Sequence, residues 1–319
     1  MVLICSRSVL CNTLLSLSFL QQDHTTDQSL AANYVRSEVK KVIENDPTVA
    51  GSILRLAFHD AVVRSKASRP SVGGADGSIR YELEWQENRG LSKPLALIEN
   101  IFEAQMKCQK EETNLCYVLS FADVIALSGA ASIEAAKGPK IPVKLGRHDK
   151  SVADNRLLDR VIESESERSS IRTSLPSPAL DSLGLRIYFR RLGLSDAEMV
   201  ALMGSHDLGR HVTLTGMPKE CLRNLTRTCL EEAPTLVPFI TKDPYTLSNS
   251  YFKTLLRWND HAIEYGEAAF IPTDVALVVD DDLKKYVSKY ADDEEDFFRT
   301  LTVAYQKLVE STATTSLRF

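Results

Sequence analysis

Residues 52–60 read SILRLAFHD, and the phase of these nine letters decides how the chain is read. Residues four apart share one face of a helix, so Arg55 and His59 stand one turn apart with Phe58 beside them. That face presents a permanent cation and a titratable base together. A core helix carrying a satisfied Arg and His pair fits the same letters, so the segment gains chemical meaning only from a second site.

The second site is VALMGSHDLGR, residues 200–210, where an apolar helix ends at His206 and Gly204 and Gly209 allow another group to approach closely. A histidine presented from an apolar wall suits an iron ion, and it also suits a core position bonded to backbone. Downstream, IPTDVAL at 271–277 supplies Asp274 from a short loop, a candidate carboxylate for the second ring nitrogen of a ligand histidine.

Working outward, apolar residues at i, i+3, i+4 and i+7 recur over 34–43, 94–105, 121–136, 180–192, 196–202, 251–258 and 297–309, which predicts a mostly helical protein. Ser195 followed by Glu198 predicts a capping box at a helix start. Gly- and Pro-bearing loops are expected at 65–77, 137–147, 174–178 and 232–244, and the acidic run 292–296 reads as a solvated helix start. With 319 residues, 44% of them hydrophobic, the chain has material for one large domain or two closely packed lobes. A net charge of −5, with Lys and Arg scattered among acids, gives no footprint for nucleic acid as a partner.

Residues 1–20 set Arg7 before a Leu-rich run too short to span a bilayer, as in an export or targeting leader, and no stable membrane span is expected elsewhere. Of the six cysteines, Cys5 and Cys11 fall in that leader. Cys108 with Cys116 and Cys221 with Cys229 either close two small disulfide loops or remain four reduced thiols, and neither pair has the spacing of a zinc site.

LRLAFHD, GGADGSI, ELEWQENRGL, LSFADVIALSGA, GPKIPVKLGRHD, MVALMGSHDLGR, NSYFKTLL and IPTDVALVVDD occur in the order and spacing of the haem peroxidases of plants, fungi and bacteria. Over about residues 30–310 the chain resembles that superfamily, most of all its ascorbate-peroxidase-like plant branch. The resemblance implies a mostly α fold in which two helical lobes, about residues 21–160 and 161–319, sandwich haem b. Arg55 and His59 then become the distal pair, with Phe58 beside the peroxide pocket. Glu82 and Asn88 become their support, an Asn backbone carbonyl fixing the tautomer of His59. His206 becomes the iron ligand and Asp274 its hydrogen-bonded carboxylate. Hydrogen peroxide is the implied oxidant and a small organic molecule the reductant. His59 would move a proton between the two peroxide oxygens while Arg55 stabilises the developing charge. A catalytically silent binding or scaffold protein is the other reading, which retention of Arg55, His59, His206 and Asp274 disfavours.

The same resemblance marks departures. Phe58 stands where ascorbate peroxidases carry a distal Trp, and Phe239, or Ile240 if no gap is allowed, stands at the proximal Trp, so no protein radical at a proximal Trp is expected. The ascorbate-binding Arg falls near Thr215, which makes ascorbate a doubtful donor. Asp60, Gly74, Asp76 and Ser78 match residues that hold a distal calcium in the secreted branches, although a tight Asp-Gly turn explains them too. A proximal cation loop is a poorer match, since Asp207, Thr241 and Asp243 could donate oxygens but Ser248 replaces an Asp. The leader and the plant-like motifs point to a chloroplast, the thylakoid lumen included. The sequon Asn224-Leu225-Thr226 makes a secreted protein the alternative.

Overall fold

Helix α4 (Phe121–Ala135) is buried at every residue from Phe121 to Ile133, as its unbroken run of apolar and small side chains requires. The N–H groups of its first three residues find acceptors at the first turn. Ser120 Oγ accepts from Asp123 at 3.0 Å, while the Asp149 carboxylate accepts from Phe121 and Ala122 at 2.9 and 2.8 Å. Around this axis pack α1 (Ser8–Asn45), α2 (Ala50–Val62) and α3 (Ser92–Lys110). The computed structural model describes residues 8–62, 74–110, 118–151, 175–178, 180–212, 236–238, 243–258 and 270–319.

The second half supplies α5 (Ser182–Arg191), α6 (Asp196–Met203), α7 (Ser250–Leu255), α8 (Pro272–Val279), α9 (Asp281–Asp292) and α10 (Glu294–Glu310). The capping box read from the sequence starts α6: Glu198 Oε2 accepts from the Ser195 N–H at 2.8 Å, and Ser195 Oγ accepts from Glu198 N–H at 3.3 Å. Helix α10 contacts both α6 and α2, so one element joins the two halves. Its start is capped by Asp293, as the acidic run predicts, but Asp296 is buried and ion-paired with Lys289 at 2.7 Å, so that run is only partly solvated. The mostly helical fold expected from periodicity is what the chain adopts. Leu236–Pro238 (β2), inside the segment 232–244 expected as a loop, pairs with Arg210–Val212 (β1) as a short antiparallel ribbon.

A buried ion pair locks the chain end onto this frame. Arg147 Nη1 donates to Asp123 Oδ1 at 2.7 Å, and its Nε and Nη2 donate to the Val309 carbonyl at 3.0 and 2.8 Å, so α4, the 137–147 loop and α10 meet at one guanidinium. Among the described residues no helix is long and apolar enough to cross a membrane. Residues 8–20 of the expected leader belong to the same helix as the rest of α1. Cys116, Cys221, Cys229, Thr215, Asn224, Phe239, Ile240 and Thr241, together with the expected lobe boundary near residue 160, lie outside the described residues.

Candidate active site

Helix α2 sets the distal geometry through its own period. Ile53, Leu54, Leu56 and Ala57 turn into the core, which leaves Arg55 and His59 one turn apart as the sequence predicts. Phe58 lies half-buried beside them, edge-on to His59 with ring centroids 6.1 Å apart and 6.4 Å from the ring of Phe189. The short helical turn Gln86–Asn88 receives both polar side chains. Arg55 donates to the carbonyls of Glu87 and Arg89 at 2.5 and 3.0 Å, and His59 Nδ1 lies 2.7 Å from Asn88 Oδ1.

The partner of His59 differs from the expectation. The Asn88 backbone carbonyl accepts from Leu91 N–H at 3.1 Å to close the turn, so the side-chain amide performs the role instead. Its orientation is fixed because Asn88 Nδ2 donates to the Glu82 carbonyl at 2.8 Å, leaving Oδ1 to accept from the imidazole. His59 Nδ1 therefore carries the hydrogen and Nε2 the lone pair. Burial, and then the Arg55 charge, pull the His59 pKa down to about 3 despite the Asn88 bond, so the ring is neutral at physiological pH. Arg55 sits in a recess: surrounding protein depresses its pKa to about 10, yet its side chain remains open to solvent. It stays a cation.

Beneath this pair lies an acidic cluster. Asp60 is fully buried, its Oδ2 accepting from Asp76 and Gly77 N–H at 3.1 and 3.0 Å and its Oδ1 from Ile79 N–H at 3.1 Å. Asp76 Oδ1 accepts from Ser78 N–H at 3.1 Å, and its Oδ2 faces the Lys150 ammonium at 3.6 Å. Burial, reinforced by neighbouring carboxyls, raises Asp60 and pushes Glu82 up to about 8. A resident calcium would need six to eight oxygens turned toward it. Here the Asp60 and Asp76 oxygens turn toward N–H groups and an ammonium. Asp60, Gly74, Asp76 and Ser78 build a capped turn, with Gly77 at φ +72°.

On the proximal side, His206 rides on the short helical turn Gly204–Asp207 that follows α6. Two glycines seat that turn. A Cβ on Gly204 would run into the rings of Phe252 and Phe297, and a Cβ on Gly51 would lie 2.8 Å from Gly209 Cα. The start of the helix bearing Arg55 and His59 thus touches the strand entry three residues after His206. Asp274, expected in a loop, occupies the first turn of α8 behind Pro272, where the helix dipole favours a carboxylate. Its Oδ1 accepts from His206 Nδ1 at 2.7 Å and from Tyr251 Oη at 2.7 Å, and its Oδ2 accepts from Ile271 N–H at 3.0 Å. Tyr251 is fully buried, and burial followed by the Asp274 charge raises its pKa well above the ordinary value, so its hydroxyl stays a donor. Sequence reading missed Tyr251, although it sits inside the quoted segment NSYFKTLL. The proximal cation loop does not assemble as a metal site among the described residues. Ser248 N–H and Oγ both donate to Asp207 Oδ2, at 2.7 and 2.9 Å, and burial raises Asp207 to about 7.

A family model described as Peroxidase matches residues 35–293. The chain is 32% identical to L-ascorbate peroxidase 5, peroxisomal, of Arabidopsis thaliana, over 81% of this chain and 74% of the relative. It is 33% identical to L-ascorbate peroxidase T, chloroplastic, of the same plant, over 80% of this chain and 54% of the relative. A Mycosarcoma maydis protein with the provisional name heme-binding peroxidase is 31% identical over 85% of this chain and 76% of the relative. A helical scaffold that holds two oriented histidines, matched over most of its length by that family model and by those relatives, places this chain in the peroxidase family.

Proposed function

We propose that the chain is a haem-dependent peroxidase whose distal residues are Arg55 and His59, whose iron ligand is His206, and whose donor is a small phenolic molecule. One observation carries this reading: two histidines each place Nδ1 2.7 Å from an acceptor, an amide in one case and a carboxylate in the other. The residues suit haem in donor chemistry. His206 Nδ1 is committed to Asp274, which leaves the lone pair on Nε2, the atom a metal takes. Haem, when bound, supplies an iron that accepts oxidising equivalents from peroxide and passes them on singly.

The chain supplies the proton handling. Neutral His59 accepts the peroxide proton at Nε2 and returns it to the departing oxygen, and its Nδ1–H···Oδ1 bond to Asn88 keeps the correct nitrogen available throughout. Two of the five guanidinium N–H groups of Arg55 hold the Glu87 and Arg89 carbonyls. The others can offset negative charge on the breaking O–O bond.

Relatives named for ascorbate argue for that donor, whereas Thr215 at the position of the anion-pairing Arg argues against it, because a neutral hydroxyl does not offset desolvation of a carboxylate-like anion. Guaiacol is accordingly expected to exceed ascorbate in kcat/KM, and ascorbate turnover that outruns guaiacol would reverse the choice. Some relatives carry chloroplastic and some peroxisomal names. Together with the leader-like residues 1–20 they favour the chloroplast. The haem assignment is tested by absorption spectroscopy on His206→Ala: the Soret band of protein produced with haem should vanish, and normal haem retention would overturn the ligand assignment.

A further inference from the structure

Asp274 is an unusually loaded carboxylate, since one of its oxygens is shared between two side-chain donors. Oδ1 accepts from His206 Nδ1 and from Tyr251 Oη, each at 2.7 Å. Tyr251 is held there rigidly. Its ring is fully buried, packing edge-on against Phe252 at 5.1 Å, Phe270 at 5.8 Å and His206 itself at 6.1 Å. Neither the tyrosine nor the carboxylate can turn to water, because Asp274 is fully buried as well.

From this arrangement we infer that Tyr251 is a positioning residue that sets the electron-donating strength of His206 by drawing charge from the shared oxygen of Asp274. A second hydrogen bond to Oδ1 lowers its negative charge, so the oxygen pulls less on the His206 ring hydrogen. The imidazole then has less anionic character and is a weaker donor to a metal at Nε2. A carboxylate without the tyrosine would make His206 a stronger donor and favour the more oxidised state of the metal. The hydroxyl therefore acts as a fixed setting on the proximal side, independent of peroxide or donor. The inference rests on the haem reading above.

Tyr251→Phe tests it, because the substitution keeps the ring and removes only the donor, with Asp274 still held by His206 and Ile271. In the haem-bound protein the iron–histidine stretching frequency of the ferrous form should rise, and the ferric/ferrous reduction potential should become more negative. In an Asp274→Asn background the same tyrosine change should produce neither shift, since the shared carboxylate is gone. Unchanged frequency and potential in Tyr251→Phe, or shifts that persist without Asp274, would overturn the inference. Both results presuppose an iron–histidine band that His206→Ala abolishes. Its absence from the unsubstituted protein would instead overturn the ligand assignment, and the inference with it.

Discussion

The distal and proximal histidines are held at the same distance by different chemistry. His59 and His206 each bring Nδ1 to 2.7 Å from an oxygen, but Asn88 offers a neutral amide and Asp274 a carboxylate. A neutral amide fixes the tautomer and stabilises the imidazolium too little to offset burial and Arg55, which keep His59 neutral. A carboxylate makes the ring a better electron donor, which serves a ligand and would hinder a proton shuttle. On the proposed reading, one hydrogen-bond length therefore serves a proton shuttle at His59 and an iron ligand at His206, and the charge of the acceptor separates them.

The comparison breaks most visibly if His59 loses its proton chemistry. His59→Leu should cut the rate of reaction with peroxide by about 10²–10⁴, the usual worth of a general base, with little effect on haem content. A variant that keeps its stopped-flow rate would remove His59 from the mechanism. Exchanging the acceptors sharpens the contrast. Asp274→Asn should weaken haem retention or activity by about 10–100-fold, the usual effect of losing a ligand's outer partner. Asn88→Asp should raise the His59 pKa by about 1–3 units through the new opposite charge, moving the acid limb of the pH–rate profile upward by that amount. An unshifted profile would show that the acceptor's charge is irrelevant on the distal side.

Smaller effects concern the acids beneath the distal loop. Glu82 has its folded pKa raised to about 8, so between its ordinary value near 4.5 and 8 the folded chain holds more proton than the unfolded one. Its contribution to stability is present in full below that ordinary value and is lost as pH rises through the folded one. Glu82→Gln should flatten the fall in stability over this window, and denaturant melts at several pH values that stay parallel to those of the unsubstituted protein would refute the cause. Smallest of all is the response to chelators. Because Lys150 and backbone N–H groups already answer Asp60 and Asp76, removal of calcium should leave the melting temperature unchanged, and a clear drop would restore the ion.

Local rules made much of this legible in advance. The helical period alone places Arg55 and His59 on one face, and the Ser195–Glu198 pair alone starts α6, because both depend on neighbours within one turn of the chain. The family resemblance then named His206 and Asp274 before any fold was seen. What those rules could not reach was the identity of contacts between distant segments. Asn88 meets His59 through its side-chain amide and not its backbone carbonyl, across 29 residues, and Tyr251 shares the Asp274 carboxylate from 23 residues away. The fate of the acidic cluster was equally hidden, since its letters match a calcium turn and only folding sets Lys150 against Asp76 and buries Asp60 under three N–H groups. Sequence fixes which side chains a helix face presents, because that follows from bond geometry. Which acceptor each one meets, and with what charge and burial, is decided only when the helices pack.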